Sequence, residues 1–137
     1  MRLWHYKLIP YLPKTMLVSQ WRECITIKRQ WEKGTLKHRL VSYVKDHDKK
    51  HFFNYTCNVT MELSRRNIKY NEILLKEIAE FCIKNEDDVF ESNFCYYKEH
   101  NDRYLKQCLY NLQEKADRGI ITQEEWQKIE DKVGGCL

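Results

Sequence analysis

Apolar residues recur along the chain at helical spacing, and no stretch of useful length alternates with the two-residue period of a strand. From residue 14 to about residue 31, Met16, Leu17, Trp21, Cys24, Ile27 and Trp31 gather on one arc at 100° per residue, which predicts an amphipathic helix. Lys28 falls inside that arc, so a fray or bend is expected there. Gly34 breaks the pattern. Leu36, Leu40, Val41 and Val44 then predict a shorter helix over 35–45 with those four side chains inward. Residues 46–50 form a charged junction. A long helix is expected over 50–67, with Phe53, Cys57, Thr60 and Met61 at i, i+4, i+7 and i+8. Asn71 is placed to cap a helix reaching residue 84, whose apolar set is Ile73, Leu74, Leu75, Ile78, Ala79, Cys82 and Ile83.

The two ends of the chain carry their own signals. Pro10 and Pro13 bound a short extended lead-in, and Pro13 suits a first helical turn. Residues 85–97 are acidic and aromatic and read as a loop that packs Phe90, Phe94, Tyr96 and Tyr97 downward. Tyr104, Leu105, Cys108, Leu109 and Leu112 predict a fifth helix over 99–117, with Gly119 at its C-terminal cap. The run from Thr122 to Glu125 is a capping box opening a last helix through residue 132. The expected fold is all-α, one compact domain of five to six helices over 1–137, without repeat or linker.

Composition narrows the class. With 42% hydrophobic and 13% aromatic residues in 137, the chain can bury a real core. It has no apolar run long enough to span a membrane, and no apolar segment of signal-peptide length follows Met1. A cytoplasmic location, with the six cysteines as free thiols, is therefore expected. No CxxC pair occurs among them. Charge is polarised. Residues 1–70 hold 15 Lys/Arg against 5 Asp/Glu, a net +10, and residues 71–137 hold 9 against 15, a net −6. A basic half is the footprint of a polyanion binder, and an uneven solvated surface looks the same at this level.

Candidate chemistry is sparse. There is no glycine-rich phosphate loop, no GxSxG elbow and no HExxH. His47 and His51 are an i,i+4 pair only if one helix spans both, and no third ligand follows a known spacing, so no metal or cofactor is expected. Arg22-Glu23 sits in the middle of the first helix. Glu23 flanks the apolar arc, where a carboxylate beside cations can act as a general acid or base; on the helix alone a surface charge pair is the stronger reading.

Residues 1–13, Met-Arg-Leu-Trp-His-Tyr-Lys-Leu-Ile-Pro-Tyr-Leu-Pro, change that balance. They resemble the opening of the pyrimidine-dimer DNA glycosylases, the phage endonuclease V type enzymes and their bacterial relatives. The resemblance continues through Leu17, Gln20 and Arg22-Glu23-Cys24, then Lys37-His38, Val41, Tyr43-Val44, His47, Phe52, Tyr55, Met61-Glu62-Leu63 and Arg66. A fainter echo runs from His100 to Leu105, with Cys108 and Leu112. It covers residues 1–70 well, 98–116 in outline and 71–97 poorly.

The resemblance implies an all-α enzyme acting on UV photoproducts in duplex DNA without a cofactor. In that family the N-terminal α-amine attacks C1′ of the damaged nucleotide and forms a Schiff base, a glutamate assists, and the strand is nicked at the abasic site. Carried over, Glu23 takes the glutamate's part, Arg22 binds phosphate, and Arg2 follows the nucleophile. Because Arg2 is too large to permit removal of the initiator, the Met1 amine is the expected nucleophile. An α-amine ordinarily titrates near ~7.7–8.0, so a useful fraction is neutral near pH 7. Lys37, His38, Arg39 and His47 are further candidate DNA contacts, with Lys14, Lys28, Arg29, Lys49 and Lys50 behind them. The expected partner is double-stranded DNA carrying UV damage or abasic sites, bound by a monomer. The family's basic aromatic tail is missing, and the last residues are acidic instead. Two other readings stay open: a helical DNA- or RNA-binding protein without catalysis, and a protein-interaction module whose acidic half meets a basic partner.

Overall fold

The computed structural model describes residues 1–83 and 97–136, and every regular element among them is helical. Five α-helices follow one another: α1 Lys14–Lys33, α2 Lys49–Arg65, α3 Glu72–Cys82, α4 Asp102–Asp117 and α5 Gln123–Val133. Three 3₁₀ segments, Tyr6–Tyr11, Ser42–Asp46 and Gly134–Cys136, complete them. α1, α2 and α3 pack on one another, α4 pairs with α5, and the Tyr6–Tyr11 segment lies against both α2 and α5. One cluster of buried apolar side chains, from Leu3 through Val133, joins the two groups. No helix among the described residues is long and apolar enough to cross a membrane.

The helix ends follow local chemistry. α1 stops at Gly34, whose φ of 74° is the left-handed conformation glycine adopts without cost. The Asp48 side chain caps α2 by accepting from the Lys50 N–H, and Asn71 caps α3 through the N–H groups of Ile73 and Leu74. Thr122 and Glu125 form the full reciprocal capping box of α5. At Lys28 α1 runs on unbroken, because the ammonium reaches Glu32 Oε1 one turn later at 3.1 Å and leaves only its stem on the apolar face.

Several expectations are corrected. The lead-in is not extended: Tyr6–Tyr11 is 3₁₀ helix with Pro10 inside it, and Pro13 is the N-cap of α1. No helix spans 35–45. Leu36, Val41 and Val44 are buried as expected, but through a turn followed by Ser42–Asp46, and Leu40 points out at 43% exposure. Side chains take the backbone groups a helix would have used: His38 Nδ1 accepts from the Leu40 N–H, and Lys45 Nζ donates to the Leu36 carbonyl. The buried face of α2 is carried by Phe52, Tyr55, Val59 and Leu63 beside Phe53, and Met61 is 68% exposed. On α3, Ile78 and Cys82 are buried while Ile73 is 70% exposed. α4 starts at Asp102 rather than at residue 99, because Asn101 accepts from the Tyr104 N–H and sets the first turn there. Of the 85–97 loop, only Tyr97 lies within the described residues, and it is buried.

Candidate active site

The site begins with a polar residue in an apolar row. Gln20 lies on the buried face of α1 between Leu17, Trp21 and Cys24, fully enclosed. Burying an amide requires partners, and here they come from the backbone of Arg2 and Trp4, from Glu23 one turn on and from Tyr55 of α2. Gln20 Oε1 accepts the Trp4 backbone N–H at 2.8 Å, and Nε2 donates to the Arg2 carbonyl at 3.0 Å and to Glu23 Oε2 at 3.2 Å. The buried Tyr55 hydroxyl from α2 donates to the Trp4 carbonyl at 2.5 Å and lies 3.1 Å from Gln20 Oε1. The N-terminal backbone is thereby tied to the middle of α1, one turn from Glu23.

Glu23 is half-buried, and burial pushes its carboxyl above the ordinary range. Opposing that push are a hydrogen bond from the Arg2 backbone and the positive charges of the N-terminal amine, Arg2 and His38. A carboxylate poised between desolvation and cations is suited to accepting and returning a proton. Glu23 also lines a pocket of about 200 Å³ together with Trp4, Ser19, Gln20, Lys115 and Ile120. The Arg2 guanidinium sits 5.2 Å from the centre of the Trp4 ring.

The other candidates divide into two sets. Arg22, Lys37, His38 and Arg39 are solvent-exposed. The exposed turn holding Lys37, His38 and Arg39 is anchored at both ends by buried Leu36 and Val41, and His38 is close enough for its charge to act on Glu23. His47 lies elsewhere. Its Nε2 is 2.9 and 3.1 Å from the two Glu99 carboxylate oxygens, within a group of rings that includes His51 and Tyr97. α2 starts at Lys49, so His47 and His51 do not share a helix. Among the described residues no three His, Cys, Asp or Glu side chains are placed to hold a metal. Burial raises the Cys57 thiol to about 11 and the Cys82 thiol to about 12, which keeps both protonated and unreactive near neutral pH.

Sequence reasoning passed over Gln20 as a site residue, although a glutamine on an apolar arc is a signal in itself. It held His100 and Tyr104 only as part of a faint family echo, with no role for either, and had no signal for Lys115; all three reach the N-terminal segment only through the tertiary fold.

Glu23 is thus a half-buried carboxylate under the influence of the N-terminal amine, Arg2 and His38, with a small pocket beside it, in an all-helical protein. Residues 1–76 match the sequence model of the family described as pyrimidine dimer DNA glycosylase. The chain belongs to that family, and so is by family a DNA glycosylase, an enzyme of DNA repair with DNA as its substrate. No curated protein and no solved structure matches the chain.

Proposed function

We propose that the protein removes UV-induced pyrimidine dimers from duplex DNA and then nicks the abasic site, using the Met1 α-amine as nucleophile and Glu23 as its acid–base partner. The observation that carries the reading is the Gln20 bridge, which hydrogen-bonds both the Arg2 carbonyl and Glu23 and so holds the amine's backbone beside the carboxylate. The amine nitrogen bonds to C1′ as the glycosidic bond breaks. The pyrimidine leaves with the bonding pair, Glu23 takes a proton from the nitrogen and returns it to O4′ as the sugar ring opens to the Schiff base, and loss of a C2′ proton then expels the 3′ phosphate by β-elimination and cleaves the strand. Glu23 also faces the positive charge that develops on the sugar. Arg22, Lys37, His38 and Arg39 supply phosphate contacts, and Arg2 lies against the reacting nucleotide. Entry of the lesion requires the duplex to be opened, which costs least where a dimer already stacks poorly.

The test is borohydride trapping with a native, untagged N-terminus on duplexes containing a thymine dimer, an abasic site, or neither. An adduct mapped to Met1 on the dimer duplex supports the reading. An adduct on the abasic duplex alone keeps the amine chemistry and removes the dimer as substrate. Salt-sensitive binding with no adduct on any duplex replaces the reading with that of a non-catalytic DNA binder.

A further inference from the structure

Residues 97–104 lie beyond the stretch that carries the family match, and His100 and Tyr104 among them bond to the N-terminal backbone. The Tyr104 hydroxyl donates to the Leu3 carbonyl at 2.5 Å, and the same phenol is hydrogen-bonded by the Arg2 side chain. His100, 6% exposed, accepts the Tyr6 backbone N–H on Nδ1 at 3.3 Å. With Nδ1 accepting, the neutral ring carries its proton on Nε2, which is 2.7 Å from the Tyr43 hydroxyl. The His5 ring stacks at 5.4 Å from His100 and 4.6 Å from Tyr6. Gln20 and Tyr55 hold Arg2 and Trp4, while Tyr104 and His100 hold the intervening Leu3 and the following Tyr6.

We infer that Tyr104 and His100 are positioning residues for the reaction: they clamp the backbone behind the Met1 amine and fix its placement against Glu23. The inference rests on the amine chemistry proposed above. Packing alone does not require these groups. Leu105, Cys108 and Leu109 already seat α4 in the core, fully buried, whereas the phenol and one imidazole nitrogen each bond to the main chain of the N-terminal segment. Attack by an amine is sensitive to such placement, since a misplacement on the order of 1 Å can cost ~100-fold in rate. In this account the acidic half of the molecule contributes alignment.

Full-length protein with a native N-terminus tests the clamp through Tyr104→Phe, which keeps the ring and removes one hydroxyl. The readouts are thermal stability, affinity for an abasic duplex without borohydride, and the single-turnover rate of adduct trapping at saturating DNA. The expected result is affinity within ~2-fold of the parent and a trapping rate lowered ~10-fold or more. In a Glu23→Gln background the same change should cost clearly less, because the two residues act on one geometry. Ile129→Val, in the core of α5, is the control for lost stability and should leave the trapping rate at the parent's value. A Tyr104→Phe protein that traps at the parental rate overturns the clamp while the amine chemistry stands. So does a loss that Ile129→Val reproduces at equal destabilisation. A parent that traps no adduct overturns the amine chemistry and the clamp with it.

Discussion

The lead-in is tied down at both ends, and the two ties differ in kind. At its rear the tie is ionic. Arg66 donates from Nη1 to the Leu12 carbonyl at 2.7 Å and from Nη2 to the Pro10 carbonyl at 2.9 Å. Its Nε reaches Glu62 Oε2 at 2.7 Å, and Arg65 pairs with the same carboxylate. At the front, from Arg2 to Tyr6, the side chains that hold the backbone besides Glu23 itself are an amide, two phenols and a neutral imidazole. Burial tends to push the enclosed Glu62 carboxyl up, but the two arginines outweigh it and hold the group below its usual range. Burial likewise drives His100 down to about 3 and His5 to about 4, so both rings are neutral near pH 7. The difference makes physical sense. Burial holds the Glu23 carboxyl up against the opposing pull of the N-terminal amine and Arg2, and another fixed cation at the front would weaken that rise. The rear carries no group of the proposed chemistry and can use the stronger, charge-assisted bonds.

The largest expected effect breaks the front end without touching its structure. Glu23→Gln should leave thermal stability nearly unchanged and lower the nicking of dimer-containing duplex by roughly 10²–10⁴, the usual span for a lost acid–base group. Gel-resolved single-turnover cleavage measures it, and a parental rate would remove Glu23 from the mechanism.

Acid should undo the front before the enzyme meets a general acid transition. His5 and His100 have folded pKa values below the unfolded 6.5, so the unfolded chain binds more protons. Their contribution to stability is present above about pH 6.5 and is lost as pH falls toward about 4 and 3, at up to ~1.4 kcal/mol per pH unit for each ring. Glu62, held low, pulls in the same direction at the acid end, while Glu23, held high, opposes it. Urea midpoints measured across this range should fall steadily, and His100→Gln should flatten the slope.

The rear tie should show itself in stability rather than in chemistry. Arg66→Met strands two carbonyls and leaves Glu62 with the largely exposed Arg65 alone. A loss of about 2–4 kcal/mol is expected by urea unfolding. The trapping rate per folded molecule should change less than it does in Tyr104→Phe. The smallest effect belongs to the exposed turn. Lys37→Gln should weaken duplex binding modestly and reduce the slope of log affinity against log salt by about one, with little change at saturating DNA.

Much of this was legible before the fold. The periodicity of α1, the caps at Asn71 and Thr122 and the core of α4 are local features, set by spacing within one helix. The 35–45 region was not, because a four-residue apolar pattern is satisfied by a turn as well as by a helix, and His38 and Lys45 supply the competing hydrogen bonds. The buried face of α2 was misread for a related reason. That helix is apolar on more than one side, so the choice between Met61 and Val59 is made by its neighbours.

The sequence by itself determined an all-helical chain with a basic first half, and it marked Arg22-Glu23 and the first thirteen residues as the place to look. Only the tertiary structure decided what surrounds Glu23. The Gln20 bridge, the Tyr104 and His100 grip and the Lys115 side of the pocket join residues up to about a hundred positions apart. Periodicity reports which side of a helix faces inward, and carries no record of which distant backbone atoms a buried polar group will find there.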